Sequence, residues 1–522
     1  FPYSRLMKLK VNTMRLIFTV VLCLLGGTVL SEEADAPRAK IHSGVIEGVN
    51  EDGINVFRAI PFAAPPIGEL RWRAPQSVAA WPGIRHAKNF GAICPQSNRG
   101  QRLESEDCLT LNVWARPGAD NLPVMLWIHG GANIVGSGII NGANFARDDV
   151  VLVSMNYRLG LFGVFAHPDL TRAAETAGEA TGNFGVMDQI AALKWIKRNI
   201  ANFGGDPGRV TIFGVSAGGT HVNNLMVSPR AKGLFHRAIA QSGANGLTVS
   251  RSLSDFERVA VAFTKENAAG SIERLKAMTW RDLYEPFPAR VGFQTFVDGE
   301  VLTDHVPEIF RRGEQNDVPY IGGANSYEGS LASAIPIPAF TVAMNQNIEA
   351  VVEAYDRPRE DEMLPLLFYG DALFVAPTRY LGARMDTVKS GGWTYRMDYV
   401  WEAFLGKVPG TSHGAEVPYV FDILGAFNLN ERLASQLGIP AGRYEPTEKD
   451  HDTARVMHQY WVQFAKSGDP NGKNLPRWPA YTSANANTLL ISNGGTGVKE
   501  ALRKKQLDLV ESIGLKRLEG GQ

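Results

Sequence analysis

A short glycine-rich turn between a strand pattern and a helix pattern is the sequence feature that most restricts the fold. The apolar run 209–213 predicts a buried strand, residues 219–227 are compatible with a helix, and Gly-Val-Ser-Ala-Gly at 214–218 joins them. Such a tight turn projects the Ser216 hydroxyl above a sheet, because glycines let neighbouring backbone approach without Cβ clashes. The pattern predicts that Ser216 is a nucleophile. The simpler alternative is a serine in a glycine-rich turn.

Apolar runs of strand length alternate with amphipathic helix patterns along most of the chain. Continuous apolar runs are typical of strands buried on both faces, as in a parallel sheet. The alternation therefore predicts an α/β fold with a doubly wound, mostly parallel central sheet and helices on both faces. Apart from one strand, the less regular stretch 250–366 is interpreted as helical insertions that form a gorge or cap. The strand patterns are 123–128, 150–155, 209–213, 237–241 and 318–322, and the helix patterns are 187–200 and 452–466.

Composition and charge exclude several classes of function. The 522 residues are 44% hydrophobic and 20% charged, with a net charge of +0, so the chain is an ordinary globular protein. Without a basic block or an acidic tail, nothing indicates a nucleic-acid partner, and a small or neutral substrate is favoured. No internal repeat or long linker interrupts the chain, which predicts one catalytic domain over residues 37–518. The sequence carries no prediction of oligomeric state.

The first 31 residues read as upstream residues and a signal peptide. Basic residues precede the apolar stretch 16–30, and small and acidic residues follow it. This stretch is shorter than the roughly 20 residues that span a bilayer, although an uncleaved anchor is the alternative. The chain is therefore expected to have no stable membrane span and to be exported, to the periplasm or outside the cell. With Cys23 removed, Cys94 and Cys108 form an even pair that favours a disulfide, against two free thiols.

A second glycine-rich segment follows the strand pattern 123–128. Transfer of an acyl group requires backbone N–H donors aimed at the carbonyl oxygen as it becomes an anion. Small residues in His-Gly-Gly-Ala-Asn at 129–133 let that backbone close on a substrate, and the N–H of Ala217 supplies the matching donor after the nucleophile. The alternative is an ordinary turn between a strand and a loop.

Candidates for the acid and base follow Ser216 in the order expected for this class of fold. Glu328 lies after the strand pattern that ends near residue 323 and precedes a glycine, although it could be a solvated loop carboxylate. His413 lies in a glycine-rich loop from which an imidazole could reach the serine. Spacing alone leaves three other histidines open as the base, namely His221, His236 and His305.

Taken together, these motifs closely resemble the type-B carboxylesterase/cholinesterase family over nearly the whole mature chain. The segments that carry the resemblance are 57–63, 70–73, 105–109, 127–132, 156–158, 182–185, 203–207, 241–243, Trp461 and 464–471. The resemblance implies an α/β-hydrolase fold, similar to bacterial para-nitrobenzyl esterases. It also implies roles for single residues: a triad of Ser216, Glu328 and His413, oxyanion donors at Gly131, Ala132 and Ala217, an accessory Ser242 bonded to the acid, ion pairs Arg71–Glu106 and Arg158–Asp188, and a Cys94–Cys108 disulfide.

Departures from the family pattern bear on the substrate. The family often has Glu before the nucleophile, and here Val215 removes that negative charge. The cysteine loop 95–107 contains no Trp, and Asn133 replaces the usual aromatic residue after the oxyanion loop. A quaternary ammonium group needs an aromatic face or a negative charge, so choline esters are expected to be poor substrates.

The expected activity is carboxylic ester hydrolysis through an acyl-enzyme, on small to medium neutral esters, with no cofactor and no metal. A specialised esterase acting on feruloyl, mycotoxin or carbamate esters, or a thioesterase, is the alternative within this class. A non-catalytic binding module on the same fold is the competing class, because a fold alone does not determine function.

Overall fold

The computed structural model describes residues 36–96, 102–284, 294–332, 338–431 and 440–520. The predicted signal peptide at 1–31, with Cys23, lies outside the described residues. Contacts group Pro37–Gln522 as one compact unit.

The strands belong to one large sheet and two small ones. In chain order they are β1 (Arg38–Ile41), β2 (Gly44–Glu47), β3 (Val49–Glu51), β4 (Ile54–Pro61), β5 (Ile84–His86), β6 (Thr110–Ala115), β7 (Leu122–Ile128), β8 (Val151–Met155), β9 (Gly205–Val215), β10 (Arg237–Gln241), β11 (Tyr320–Asn325), β12 (Gly392–Asp398), β13 (Phe427–Leu429), β14 (Gly442–Tyr444), β15 (Thr488–Ser492) and β16 (Gly495–Lys499).

Along the chain, most α-helices fall between successive strands, and the last one follows β16. The largest group falls between β10 and β12. They are α1 (Ala143–Arg147), α2 (Gly160–Gly163), α3 (Pro168–Ala177), α4 (Phe184–Asn199), α5 (Ala217–Val227), α6 (Leu253–Ala268), α7 (Ile272–Ala277), α8 (Trp280–Tyr284), α9 (Val306–Arg312), α10 (Pro338–Gln346), α11 (Ile348–Tyr355), α12 (Met363–Gly370), α13 (Ala376–Arg384), α14 (Val417–Val420), α15 (Glu448–Ser467) and α16 (Lys504–Gly520).

Eleven strands of the described chain form the central sheet, in the order β16-β15-β12-β11-β10-β9-β7-β8-β6-β4-β3. The seven strands from β15 to β8 are parallel, whereas the pairs at both edges are antiparallel. The predicted α/β fold with a mostly parallel sheet is therefore confirmed. The stretch 250–366 is largely helical, as predicted, while the apolar patterns missed β6, β12, β15 and β16.

Both faces of the sheet are buried, which explains the continuous apolar runs. In β7, Leu126 packs into one hydrophobic core and its neighbours Met125 and Trp127 pack into the other. Helices α4 and α5 cover the first face, and α1 and α15 cover the second. Successive side chains of a strand point to opposite faces, so a strand between two helical layers needs apolar residues at every position.

A disulfide and a buried ion pair, both predicted from the family resemblance, connect loops to this core. Cys94 and Cys108 form a disulfide with an S–S distance of 2.05 Å. Arg158 and Asp188 form a buried bidentate ion pair, with Nη2–Oδ1 and Nε–Oδ2 distances of 2.7 and 2.9 Å. The Arg158 side chain also donates to the backbone carbonyl of Arg73, so α4 and two loops meet at one guanidinium.

We expect Asp188→Asn to destabilise the protein strongly, because it leaves the Arg158 charge buried without its counter-ion. Side chains of this pair are 2% and 0% exposed, and breaking such a pair costs about 3–5 kcal/mol. Urea unfolding of the purified variant measures the loss. As a control, Glu445→Gln breaks an ion pair with Arg443 whose side chains are 62% and 65% exposed, and it should cost less than about 1 kcal/mol. Similar losses in the two variants would contradict a structural role for the buried pair.

Candidate active site

Ser216 occupies the sharp turn between β9 and α5. Its φ and ψ are 60° and −122°, a conformation that side-chain-bearing residues rarely adopt. Two contacts hold this backbone: the Ser216 N–H donates to the Gln241 carbonyl at 2.8 Å, and the Ser216 carbonyl accepts from the Thr220 N–H at 2.9 Å. A Cβ atom at Gly218 would lie 2.0 Å from the Ile128 carbonyl oxygen, so glycine is required there. The turn thus has the predicted strand–turn–helix context.

Glu328 is buried and held from both sides. Its side chain follows β11, and the residue is 2% exposed. One carboxylate oxygen accepts from the Ser242 hydroxyl at 2.6 Å and from the Asn325 N–H at 2.7 Å. The other lies 2.5 Å from Nδ1 of His413. The predicted acid, base and accessory serine are therefore brought together, and Glu328 is not a solvated loop carboxylate.

The loop that carries His413 is fastened to the turn that carries Glu328. The Tyr327 N–H donates to the Thr411 carbonyl at 2.9 Å, and the His413 N–H donates to Ser330 Oγ at 2.9 Å. The imidazole packs against the Phe374 ring, with 4.5 Å between the ring centroids. Together with the hydrogen bond to Glu328, these contacts fix the position of the imidazole.

The electrostatic surroundings of His413 favour its protonation. Burial opposes the charged imidazolium, but the Glu328 carboxylate and its hydrogen bond outweigh burial, so the pKa of His413 is raised above its ordinary 6.5. Its Nε2 atom is buried and has no hydrogen-bond partner among the described residues. A bond between Ser216 Oγ and this nitrogen is absent from the described hydrogen bonds, so Nε2 is left able to accept a proton.

The three alternative histidines make other contacts. His221 pairs through Nε2 with Asn133 Oδ1 at 2.7 Å, and burial, together with the neighbouring His129, lowers the pKa of His221 to about 3. Nδ1 of His236 and Nδ1 of His305 each accept from a backbone N–H. Of the four candidates within the described chain, His413 is the one that contacts Glu328.

The segment after β7 adopts the left-handed backbone that its small residues allow. Gly131, Ala132 and Asn133 have φ of 111°, 55° and 59°. The Gly131 carbonyl accepts from two following N–H groups, which closes the loop. The N–H groups of Gly131, Ala132 and Ala217 donate to no acceptor in the described hydrogen bonds. Ala132 and Ala217 line the same cavity as Ser216, so two of these three N–H groups belong to residues beside Ser216.

A cavity of about 410 Å³ opens above Ser216, and we call it the gorge. Its walls come from the segment after β7, from the start of α5, from the loop before α6 and from the helical insertions. The lining residues of the described chain are Ala132, Asn133, Ser216, Ala217, Thr220, Ala244, Asn245, Leu247, Thr248, Val249, Ser250, Arg251, Gln294, Thr295, Leu331, Ala339, Phe340, Tyr369, Ala372, Leu373, Phe374 and Arg517. The insertions therefore form the gorge that the sequence analysis predicted.

Two buried polar residues make contacts at the site that the sequence analysis did not predict. Glu416 is fully buried, and its carboxyl group accepts from Gln241 Nε2 at 3.1 Å and from Asn325 Nδ2 at 2.5 Å. Burial and the nearby charge of Glu328 raise the pKa of Glu416, which favours its neutral form. The second is His221, whose bond to Asn133 supports the segment after β7. The spacing of Glu416 three residues after His413 was the one available signal, and by itself it is not specific.

The described residues contain neither a cluster of metal ligands nor a membrane-spanning helix. No group of three or more His, Cys, Asp or Glu in these residues could hold a metal ion. No helix in the same ranges is long and apolar enough to cross a membrane.

Comparisons with known proteins agree on one family. The sequence model of the carboxylesterase family matches residues 35–510. Fumonisin B1 esterase of Sphingopyxis macrogoltabida is 32% identical over 495 residues, which is 88% of both chains. Para-nitrobenzyl esterase of Bacillus subtilis is 30% identical over 509 residues, 90% of this chain and 98% of the relative.

Solved structures give the same result at the level of the fold. A para-nitrobenzyl esterase superimposes with a TM-score of 0.76 at 29% identity, covering 90% of this chain and 99% of the other. A Geobacillus stearothermophilus carboxylesterase gives a TM-score of 0.75 at 30% identity, covering 90% and 98%. The chain therefore belongs to the carboxylesterase family and is a type-B carboxylic ester hydrolase similar to the para-nitrobenzyl esterases.

Proposed function

We propose that Ser216, His413 and Glu328 are the catalytic triad of this ester hydrolase. The observation that carries the proposal is the chain of contacts from Ser242 through Glu328 to His413 Nδ1, with the buried Nε2 of His413 unpartnered among the described residues. His413 takes the proton of Ser216 Oγ at Nε2, and the oxygen attacks the ester carbonyl carbon. Glu328 holds the imidazole in the required tautomer and stabilises the imidazolium that forms.

The N–H groups of Gly131, Ala132 and Ala217 bind the oxyanion of the tetrahedral intermediate. Two observations support this role: these N–H groups donate to no acceptor in the described hydrogen bonds, and Ala132 and Ala217 line the gorge together with Ser216. As the intermediate collapses, the C–O bond to the alcohol breaks and the leaving oxygen takes the proton from His413 Nε2. Water then gives its proton to the same nitrogen and attacks the acyl-enzyme, which releases the acid and restores Ser216.

The gorge volume of about 410 Å³ suits small to medium esters, with neutral p-nitrophenyl alkanoates as the simplest substrates for this machinery. Choline esters are not expected, because Val215 places no charge beside Ser216 and no Asp or Glu among the described residues lines the gorge. A specialised esterase differs from this proposal in its substrate alone. A non-catalytic module would have no need of a buried imidazole hydrogen-bonded to a buried carboxylate.

Ser216→Ala is expected to reduce hydrolysis of p-nitrophenyl butyrate by at least about 10³-fold, because the acyl-enzyme can no longer form. Release of nitrophenolate by purified protein measures the rate. Ser254→Ala is a suitable control, since Ser254 lies in an exposed turn of α6 and does not line the gorge. Unchanged turnover by Ser216→Ala would refute the proposed nucleophile.

The pH profile should report the raised pKa of His413. Neutral imidazole is the base, so kcat/KM falls as the pH drops through this pKa, and the acid limb should have its midpoint above 6.5. Burial, which lowers the pKa of His413, remains in Glu328→Gln, whereas the charge and the hydrogen bond of Glu328, the two largest influences that raise this pKa, are removed. The acid limb of this variant should therefore move to lower pH, while kcat falls by about 10²–10⁴-fold. An acid limb at the same pH in both proteins would contradict the assignment of His413 and Glu328.

We also propose that the protein is exported and processed. Two observations support this: the apolar stretch 16–30 behind basic residues, and the Cys94–Cys108 disulfide, a bond typical of oxidising compartments. The mass of protein recovered outside the cytoplasm should correspond to a chain that begins shortly after residue 31. Mature protein that retains residues 16–30 would contradict the proposed cleavage.

A further inference from the structure

Arg517 is a half-buried arginine of α16 that lines the gorge. Its guanidinium makes no hydrogen bond and no ion pair with the described residues. One contact is recorded for it, over the Phe340 ring, with 5.8 Å from Cζ to the ring centroid. An arginine side chain is always charged and offers five N–H donors, so this guanidinium keeps its full capacity to bind an anion.

An aromatic wall leads from the proposed base to this arginine. Phe374 packs against the His413 ring, and Tyr369 belongs to the same hydrophobic cluster as Phe374. Phe340 meets Tyr369 edge to face, with 5.7 Å between the centroids, and Arg517 lies over Phe340. The three rings and Arg517 all line the gorge, so a ligand extended along this wall from Ser216 ends at a cation.

Among the described residues, the lining of the gorge includes arginine and no carboxylate, although the whole chain has a net charge of +0. Arg251 and Arg517 line it, and no Asp or Glu of the described chain does. The residue before the nucleophile is the apolar Val215. Apolar walls of low dielectric constant strengthen the field of such charges.

Resting on the proposed esterase function, we infer that the gorge selects esters that carry a second, ionised carboxylate, and that Arg517 binds it. The carboxylate lies on the acyl or the alcohol part, remote from the scissile carbonyl, and accepts paired hydrogen bonds from the guanidinium. The hydrolysis itself is unchanged. This substrate class differs from the neutral esters that the composition favours. The residue that selects it lies beyond residue 510, where the match to the family model ends.

Two pairs of probes test the substrate class and locate the carboxylate. On the acyl side, 4-nitrophenyl hydrogen adipate is compared with neutral 4-nitrophenyl hexanoate. On the alcohol side, 4-(butanoyloxy)benzoate is compared with its methyl ester. In at least one pair we expect the acid to have the higher kcat/KM by about tenfold or more, consistent with a hydrogen bond to a charged group. The preference should shrink as salt screens the charge.

Variants of Arg517 test the residue. Arg517→Gln should lower the acid-to-neutral ratio of kcat/KM by about tenfold, mainly through KM, and Arg517→Lys should retain part of the preference because it keeps the charge. Arg85→Gln is the matched control: Arg85 is an exposed arginine over a single aromatic ring, Trp81, at 5.4 Å, and it does not line the gorge. The control should leave the ratio unchanged.

The outcomes separate this inference from the proposed function. If the neutral esters are hydrolysed in a Ser216-dependent way but are preferred in both pairs, the inference is wrong and the esterase mechanism stands. A preference for acids that survives in Arg517→Gln overturns the assignment to Arg517. If none of the four esters is hydrolysed, both the inference and the proposed mechanism fail.

Discussion

Parallel pairing of β7, β9, β10, β11 and β12 aligns the carboxyl ends of five strands at one edge of the sheet. Ile128 lies beside Gly214, Val215 beside Gln241, and Gln241 beside Gly323, so neighbouring strands end almost level. The segment 129–133, Ser216, Ser242 and Glu328 each follow one of these ends, and the loop of His413 follows the fifth. Ser242, Glu328 and His413, which lie far apart in the chain, thus meet because backbone hydrogen bonds fix the register of the strands before them. Ligands generally bind at this edge of such sheets.

Close backbone packing at this edge sets the local sequence. The Ser216 turn holds a strained φ and lies so close to the end of β7 that residue 218 has no room for a Cβ atom. The strain is maintained by the bond to Gln241, which also supports Glu416 through its side chain. The turn of Ser216, the hydrogen bonds around Glu328 and Glu416, and the central sheet are therefore structurally coupled. A substitution at the end of one of these strands would alter the geometry of the site as well as the stability of the protein.

Charge is distributed unevenly over the site. Around His413 the buried carboxyl groups belong to Glu328 and Glu416, and the raised pKa of Glu416 favours a single negative charge beside the imidazole. On the other side, the gorge carries arginines and no described acid. The buried carboxylate beside His413 favours the imidazolium, while Arg517 in the gorge favours the anionic substrate group that we propose. Both arrangements coexist because the imidazole and the aromatic wall separate the two regions.

The sequence by itself determined the α/β class with its mostly parallel sheet and the strand–turn–helix at Ser216, while the residues of the proposed triad came from the family resemblance. Buried parallel strands require continuous apolar runs, and a tight turn requires glycine, so both constraints are local and can be read from neighbouring residues. Only the tertiary structure shows which of His221, His236, His305 and His413 contacts Glu328, and that contact makes His413 the proposed base. It also revealed Glu416 and Arg517, whose partners lie far away in the chain. Local sequence records backbone geometry, whereas burial, pKa and the charge of a cavity depend on groups that folding brings together.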